Sequence, residues 1–209
     1  MLRLHDYWRS SAAYRVRIAL ALKGVAYERV PVDLLAGAQG GEPNRAVNPQ
    51  GLVPSLVLPD GTALTQSLAI LQWLDDAYPD PPLWPADPVA RARATAQALV
   101  IVADVHPLDN LRVLKRLETQ FGADQPAKDE WYRHWIALGF EALEEMADGD
   151  GPFLGGASPS VADVCLVPQI FNARRFHVPL DAFPRLVAAD AAATALPAFQ
   201  AAHPDHARP

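Results

Sequence analysis

Apolar and polar positions alternate at the start of the chain, with Leu2 and Leu4 set against Arg3 and His5, and this period of two predicts a short strand. The pattern then changes over a stretch, residues 12–23, that is mostly apolar but carries Arg15, Arg17 and Lys23. Ser10 and Ser11 stand ahead of it as capping residues and Gly24 behind it as a stop, so a helix is expected there. Residues 27–34 mix β-branched and apolar side chains and read as a second strand. Two further short runs, 55–58 and 62–64, flank Pro59, Asp60 and Gly61, which is a hairpin signal. Ser67, Ile70, Leu71, Leu74 and Tyr78 then recur at helical spacing. The order is β-α-β followed by β-β-α.

Pro79, Pro81, Pro82, Pro85 and Pro88 follow, and a helix cannot run through such a stretch, which marks it as a linker and a domain boundary. Beyond it the pattern is wholly helical. Residues 89–117 predict one long Ala-rich helix, with Pro107 as a kink or break. Residues 127–147 predict a second, with Trp131, Trp135, Leu138 and Leu143 near helical spacing and the Trp and Ala stripes read as core. Ser160 and Asp163 have the form of a capping box, with Asp replacing the usual Glu or Gln, and open an apolar helix reaching about residue 174. A last helix is expected over 186–195, with room for a further short one, and the polar tail 203–209 is expected to fray. There is no internal repeat. The expected organisation is an α/β domain over residues 1–82 and an all-α domain over 88–209.

Composition narrows the function without naming it. Of 209 residues, 50% are apolar and 20% charged, which is ordinary for a globular chain with a substantial core. The formal net charge of -6 argues against a non-specific nucleic-acid binder or an anionic-membrane binder, yet leaves room for a local arginine cluster that takes small anions. Cys165 is the single cysteine, so neither a disulfide within the chain nor a multi-cysteine zinc site is possible. The first residues carry Arg, His and Asp and lead into no long apolar run, so the expected compartment is the cytoplasm.

Three segments could carry chemistry. At the first strand-to-helix turn, Arg9, Ser10 and Ser11 stand where backbone N–H groups and a partial positive charge suit a thiolate or carboxylate. A serine hydroxyl there can lower a thiol pKa by donating to the thiolate. The plainer alternative is that both serines only cap the helix and that Arg15 and Arg17 are solvated. Asn48 to Pro54 leads into a strand, and a cis Pro54 would let the preceding residue pair with an extended peptide ligand; an ordinary two-proline loop is the alternative. Gln66 and Ser67 begin another helix and could hold a ligand carboxylate or simply cap it.

Taken together and in this order, the segments resemble the zeta class of glutathione transferases, the family of maleylacetoacetate isomerases and the related maleylpyruvate isomerases. The likeness runs from Tyr7 to Ser11 and Arg15 to Gly24 through Asn48 to Pro54 and Gln66 to Ile70. It continues over His106 to Leu114, Ala162 to Gln169 and Asn172 to Phe176, and so covers essentially the whole chain. The resemblance implies a thioredoxin-like N-terminal domain, an all-α C-terminal domain, a homodimer, and glutathione as the cofactor with no metal. It also implies residue roles. Ser10 and Ser11 would face the glutathione thiol, Val53 before a cis Pro54 would pair with its cysteinyl backbone, and Gln66 and Ser67 would hold its γ-glutamyl end. Gln39 would add a contact from a loop of variable length, and His106, Asn110 and Arg112 would line the site from the long helix. Arg175 would hold a substrate carboxylate, with Arg9 beside the reacting centre and Arg112 and Arg174 as further candidates. Ala12 stands where many members of the family have cysteine, so chemistry through a protein thiol at that place is not expected.

The implied reaction is cis–trans isomerisation of a maleyl dicarboxylate, which asks the protein to stabilise a thiolate and the negative charge that develops on the substrate. Arginines suit the carboxylates because they stay charged and bind as a fork. Maleylacetoacetate is the expected substrate, with maleylpyruvate as the alternative. Displacement chemistry on small α-halo acids and a non-catalytic scaffold are the competing readings. His106, before a proline, is equally well read as a helix-kink residue, and Cys165 reads as buried packing.

Overall fold

The computed structural model describes residues 1–147 and 150–208. In chain order the elements are β1 (Leu2–Asp6), α1 (Ser11–Leu22), β2 (Tyr27–Pro31), a 3-10 turn (Ala38–Gly40), α2 (Glu42–Arg45), β3 (Ser55–Val57), β4 (Ala63–Thr65) and α3 (Ser67–Ala77). Then come α4 (Pro88–Leu99), a π-helical segment (Val100–Val105), α5 (Leu111–Phe121), α6 (Gln125–Met146), α7 (Val161–Arg175), α8 (Pro184–Thr194), α9 (Pro197–Ala201) and a closing 3-10 turn (Pro204–Ala207). The chain forms two units. One is Met1–Leu83 together with the residues from Ala195 on, and the other is Trp84–Thr194.

In the first unit the sheet order is β2-β1-β3-β4, with β1 and β2 parallel and the other pairs antiparallel. This is the thioredoxin-like arrangement that the family resemblance implies. α1 and α3 pack together, and Leu2, Leu4, Val16, Ile18, Leu20, Leu56, Ile70, Leu71 and Leu74 form the core. The strand expected over 27–34 stops at Pro31. One more bond follows, Val32 N–H to the Asp6 carbonyl at 2.8 Å, and Asp33 then turns the chain by accepting from the Leu35 N–H at 2.9 Å.

The buried positions of β1 are Leu2, Leu4 and Asp6, so a carboxylate occupies a place in the alternation that an apolar side chain would otherwise take. Its charge is matched by two arginines: Arg17 Nη1 donates to Oδ1 at 2.6 Å and Arg29 Nε donates to Oδ2 at 2.9 Å. Arg17 is 2% exposed, against the expectation of a solvated side chain, and Arg15 is 1% exposed. A long side chain on a core-facing helical position stays charged indoors only where carboxylates and carbonyls meet it. Arg17 also donates to the Trp8 carbonyl at 2.9 Å and the Ala202 carbonyl at 3.1 Å, and Arg29 donates to the Ala207 carbonyl at 2.7 Å. These bonds pin the tail over its described residues, where fraying was expected, Pro209 lying outside them. The residues from Ala195 on fall in the first unit, with α9 packed on α1.

In the second unit, α7 is buried along most of its length, with α4 and α8 packed against it. Its capping box is formed. Asp163 Oδ2 accepts from the Ser160 N–H at 2.8 Å, Ser160 Oγ accepts from the Ala162 N–H at 3.2 Å, and Asp163 Oδ1 takes the Leu154 N–H at 2.7 Å. On α6 the buried face is Tyr132, Ile136, Gly139, Phe140 and Leu143. Trp131 and Trp135 flank this face, half-buried, and Leu138 is exposed, which corrects the reading of the Trp stripe as core.

The helix expected over 89–117, with Pro107 as a kink or break, is broken around Pro107. α4 widens into the π segment, a turn spans residues 106–110, and α5 restarts at Leu111 behind an Asn110 cap that accepts from the Arg112 N–H at 3.1 Å. Pro107 has no N–H to continue the ladder, and its ring conflicts with the carbonyl four residues back. The π segment packs against α6 at Gly139, where an added Cβ would collide with Val105 Cγ2. In the turn, Trp131 Nε1 donates to the Leu108 carbonyl at 3.0 Å. Asp109 beside it is buried, neither of its carboxyl oxygens has a hydrogen-bond partner among the described residues, and burial pushes its pKa up to about 8.

Two stability measurements follow. Asp6→Ala leaves Arg17 buried without its carboxylate and is expected to lower the unfolding free energy by about 3–5 kcal/mol in denaturant titration; a loss below about 1 kcal/mol contradicts the buried pair. Asp109 holds its proton far more tightly when folded than when unfolded, so its contribution is present below about pH 4 and is lost as pH rises towards about 8. Asp109→Asn does not titrate, so its Tm advantage over the parent chain is expected to grow between pH 5 and pH 7.5. A constant difference counts against a protonated, buried Asp109.

Candidate active site

The sheet register gathers three of the sequence segments. His5 of β1 pairs with Ser55 of β3, and Ser55 pairs with Thr65 of β4. Because β3 runs opposite to its neighbours, the end of β1, the start of β3 and the end of β4 share one end of the sheet. The turn carrying Arg9, Ser10 and Ser11, the segment ending in Val53 and Pro54, and the Gln66–Ser67 helix start therefore leave the sheet side by side.

Each segment is held by its own local chemistry. Ser10 is the N-cap of α1 in extended conformation, and its Oγ accepts from the Ala13 N–H at 3.2 Å. Ser11 is the first helical residue and is nearly buried. Arg9 and Arg208 both lie over the Trp8 ring, at 5.3 and 5.4 Å from its centroid, a cation–π arrangement on the same turn. The Val53–Pro54 peptide bond is cis. Asn48 Nδ2 donates to the Leu52 carbonyl at 3.0 Å, and Asn44 Nδ2 donates to the Gln39 carbonyl at 3.0 Å and to the Leu52 carbonyl at 3.4 Å. The two asparagines thus tie the Gln39 loop to the residues just before Val53. Gly51 is there because φ is +63° and a Cβ would press on the Gln39 carbonyl at 3.1 Å. Gln39 Oε1 is buried with no hydrogen-bond partner among the described residues, an acceptor left for a ligand donor.

Gln66 stands at φ +66°, a conformation uncommon for any residue but glycine and asparagine, and its Nε2 donates to Gln50 Oε1 at 2.8 Å. At this helix start Gln66 is exposed and Ser67 is buried. Ser67 Oγ accepts from Arg15 Nη1 at 3.0 Å, so a side chain expected in solvent links the starts of α1 and α3. Sequence reasoning missed Arg15, Arg17, Asn44 and α2. Asn44 lies in a stretch of no clear period, and nothing in a lone arginine pattern signals burial.

The second unit presents its own candidates. His106 ends the π segment, its N–H bonded to the Ile101 carbonyl at 2.8 Å; Asn110 caps α5; Arg112 is exposed in the first turn of α5. None of the three lies on one long helix, as had been expected. Arg174 pairs with the buried Asp190 of α8 at 2.7 Å, whereas Arg175 donates to Asn172 Oδ1 at 2.8 Å and lies 4.7 Å over the Phe176 ring. Burial raises the Asp190 pKa, against the opposing charge of Arg174. Cys165 is fully buried in α7. Among the described residues there is no group of three or more His, Cys, Asp or Glu placed to hold a metal, and no helix long and apolar enough to cross a membrane.

Residues 4–82 match the family described as glutathione S-transferase, N-terminal domain, and residues 129–189 match glutathione S-transferase, C-terminal domain. The chain is 49% identical to the maleylacetoacetate isomerase of Rhizobium meliloti (strain 1021), over 99% of this chain and 97% of that protein. Among solved structures, a holo maleylpyruvate isomerase, a bacterial glutathione S-transferase of the zeta class, superposes with a TM-score of 0.95 at 42% identity, covering 99% of this chain and 98% of the other. The maleylacetoacetate isomerase of Methylobacterium extorquens AM1, with malonate and glutathione bound, also gives a TM-score of 0.95, at 40% identity and the same coverage. With the fold, the cis proline, the paired helix starts and these relatives in agreement, the chain belongs to the glutathione transferase family, in its zeta class.

Proposed function

We propose that this protein is a glutathione-dependent cis–trans isomerase of a maleyl dicarboxylate, with maleylacetoacetate as its substrate and fumarylacetoacetate as its product. The observation that carries the reading is the His5–Ser55–Thr65 row of the sheet, which sets the three glutathione-type segments at one end of one sheet. The relatives that share this arrangement are named for the reaction, and one of them holds both glutathione and a small dicarboxylate.

The residues present fit glutathione. Backbone N–H groups at the start of α1 suit a thiolate, Gln39 Oε1 is a buried acceptor without a partner among the described residues, and Gln66 and Ser67 stand at a second helix start that suits a carboxylate. Bound glutathione supplies a thiol nucleophile that adds to the cis double bond and later leaves it, so that the bond is single while it rotates.

The chain's own part is to hold charge and geometry. Ser11 donates its hydroxyl proton towards the sulfur. Ser10 is the weaker candidate because its oxygen is engaged in capping α1. Val53 pairs through its backbone with the ligand's peptide-like middle, and Pro54 shapes that edge. His106, Asn110 and Arg112 contribute from the turn and first helical turn that follow the π segment. Arg9 and Arg175 take the substrate's anionic groups, Arg175 in preference to Arg174, whose guanidinium serves Asp190. With Ala12 in place of a cysteine, no protein thiol takes part at that turn. The working form is a cytoplasmic homodimer in the breakdown of aromatic amino acids.

Maleylacetoacetate and maleylpyruvate, each generated enzymatically, are to be followed by absorbance with and without glutathione. Conversion of maleylacetoacetate that requires glutathione and does not consume it is expected. Conversion of maleylpyruvate alone would move the assignment to that substrate, and glutathione consumption with halo acids would replace isomerisation by displacement. Ser11→Ala is expected to lower kcat/KM by roughly 10²-fold with little change in Tm. Ser10→Ala is expected to cost about 1 kcal/mol of stability through the lost cap with a smaller loss of rate. The reverse ranking would assign the thiolate to Ser10.

A further inference from the structure

α7 ends in a cluster whose polar atoms point towards one side chain. Arg175 Nη2 donates to Asn172 Oδ1 at 2.8 Å, and Asn172, itself buried, donates through Nδ2 to the Tyr132 hydroxyl of α6. The Tyr132 ring is stacked on Phe176, with centroids 3.7 Å apart and planes 11° apart, and the Arg175 guanidinium lies 4.7 Å from the centroid of that same Phe176. Among the supports of the guanidinium are a hydrogen bond at one Nη and an aromatic face, and both of these rest on one buried tyrosine.

The chemistry of this arrangement is specific. An arginine on an exposed helix end ordinarily samples many rotamers, and ordering it costs conformational entropy when it grips an anion. An amide acceptor orders it without neutralising it, because Asn172 carries no charge, whereas a carboxylate in that position would compete with an anionic ligand. Tyr132 stays a neutral phenol, its pKa pushed up to about 12 by burial first and by Asp109 second. Arg174, one residue earlier, shows the contrasting case: its partner is the carboxylate Asp190, and the pair closes on itself.

We propose that Asn172 and Tyr132 are positioning residues that pre-orient Arg175 for a substrate carboxylate. This rests on the reading of Arg175 as a carboxylate-binding residue. Asn172 fixes the guanidinium through Oδ1, and Tyr132 fixes Asn172 by accepting its Nδ2–H, which sets the amide with its oxygen towards Arg175. Phe176 lies against both Tyr132 and the guanidinium. Neither Asn172 nor Tyr132 touches the substrate.

The test compares Arg175→Ala, Asn172→Ala, Tyr132→Phe and the double variant Asn172→Ala/Arg175→Ala in the full chain. Malonate affinity is measured by calorimetry in the presence of glutathione, KM and kcat with the maleyl substrate, and Tm as a check on folding. Asn172→Ala is expected to weaken malonate binding and raise KM about 5- to 10-fold with kcat little changed, since the lost interaction binds ground and transition states alike. Tyr132→Phe removes only a hydroxyl and keeps the core filled, and it is expected to do the same by about 2- to 4-fold. In the Arg175→Ala background, Asn172→Ala is expected to add nothing. Should Arg175→Ala weaken malonate binding while Asn172→Ala and Tyr132→Phe, both folded, leave it unchanged, the positioning proposal falls and the reading of Arg175 stands. Additive losses in the double variant also overturn it. Should Arg175→Ala itself leave malonate binding and KM unchanged, the underlying reading of Arg175 fails instead, and the positioning role falls with it.

Discussion

A carboxylate with no access to water must be answered in full, and Asp6 is answered by two arginines, one on each oxygen. Much of the first unit depends on how that demand is met. Arg17 comes from α1 and Arg29 from β2, so a single side chain at the end of β1 joins the first three elements of the chain. Arg17 then extends the network to the Trp8 and Ala202 carbonyls and Arg29 to Ala207, which fixes the turn leading to Ser10 and lays the C-terminal segment over the same elements. Burial alone would push the Arg17 guanidinium towards losing its proton, and the Asp6 charge is the chief influence opposing that. The polar centre is thus a means of registering parts of the chain far apart in sequence, in the place where the candidate chemistry begins.

The two serines illustrate how one local motif divides its labour. A helix start needs an acceptor for its unpaired N–H groups, and it also offers those groups to an anion. Ser10 meets the need and Ser11 stands free of that duty, one position further along, within reach of whatever the helix start attracts. The same division recurs in the second unit, where Arg174 is committed to a buried carboxylate and Arg175 to a neutral amide. Arg174 and Arg175 reach different partners because neighbouring helical positions point about 100° apart.

Most of the fold was legible in the chain. Period-two and helical spacing placed β1, α1, the β3–β4 hairpin, α3, α6 and α7 within a few residues of where they stand, since each element buries the face its pattern announces. The capping box at Ser160 and Asp163 was legible because both partners are local. What could not be read was decided by partners distant in sequence. Arg15 and Arg17 look like solvated charges until Ser67 and Asp6 are brought to them, and the tail looks loose until Arg29 reaches Ala207. The serine turn, the Val53–Pro54 edge and the Gln66–Ser67 helix start were legible as motifs, but their meeting at one end of the sheet follows from strand register. Tyr132 was hidden for a simpler reason: the neighbouring tryptophans suggested a core face shifted by about one position from the one α6 buries.

The π-helical stretch from Val100 to Val105 carries a consequence for how this scaffold tolerates insertions and deletions. A π turn is an α turn with one residue added, and Gly139 leaves just the room on α6 that the widened coil fills with Val105. A one-residue deletion within 100–105 would restore ordinary helical winding and rotate everything immediately downstream by about 100°. Asn110 and Arg112 would then swing to a different side of the unit, and the gap beside Gly139 would be left unfilled. The segment behaves like a phasing element, and a change in chain length at this one place would re-aim a whole cluster of side chains where a point substitution re-aims one.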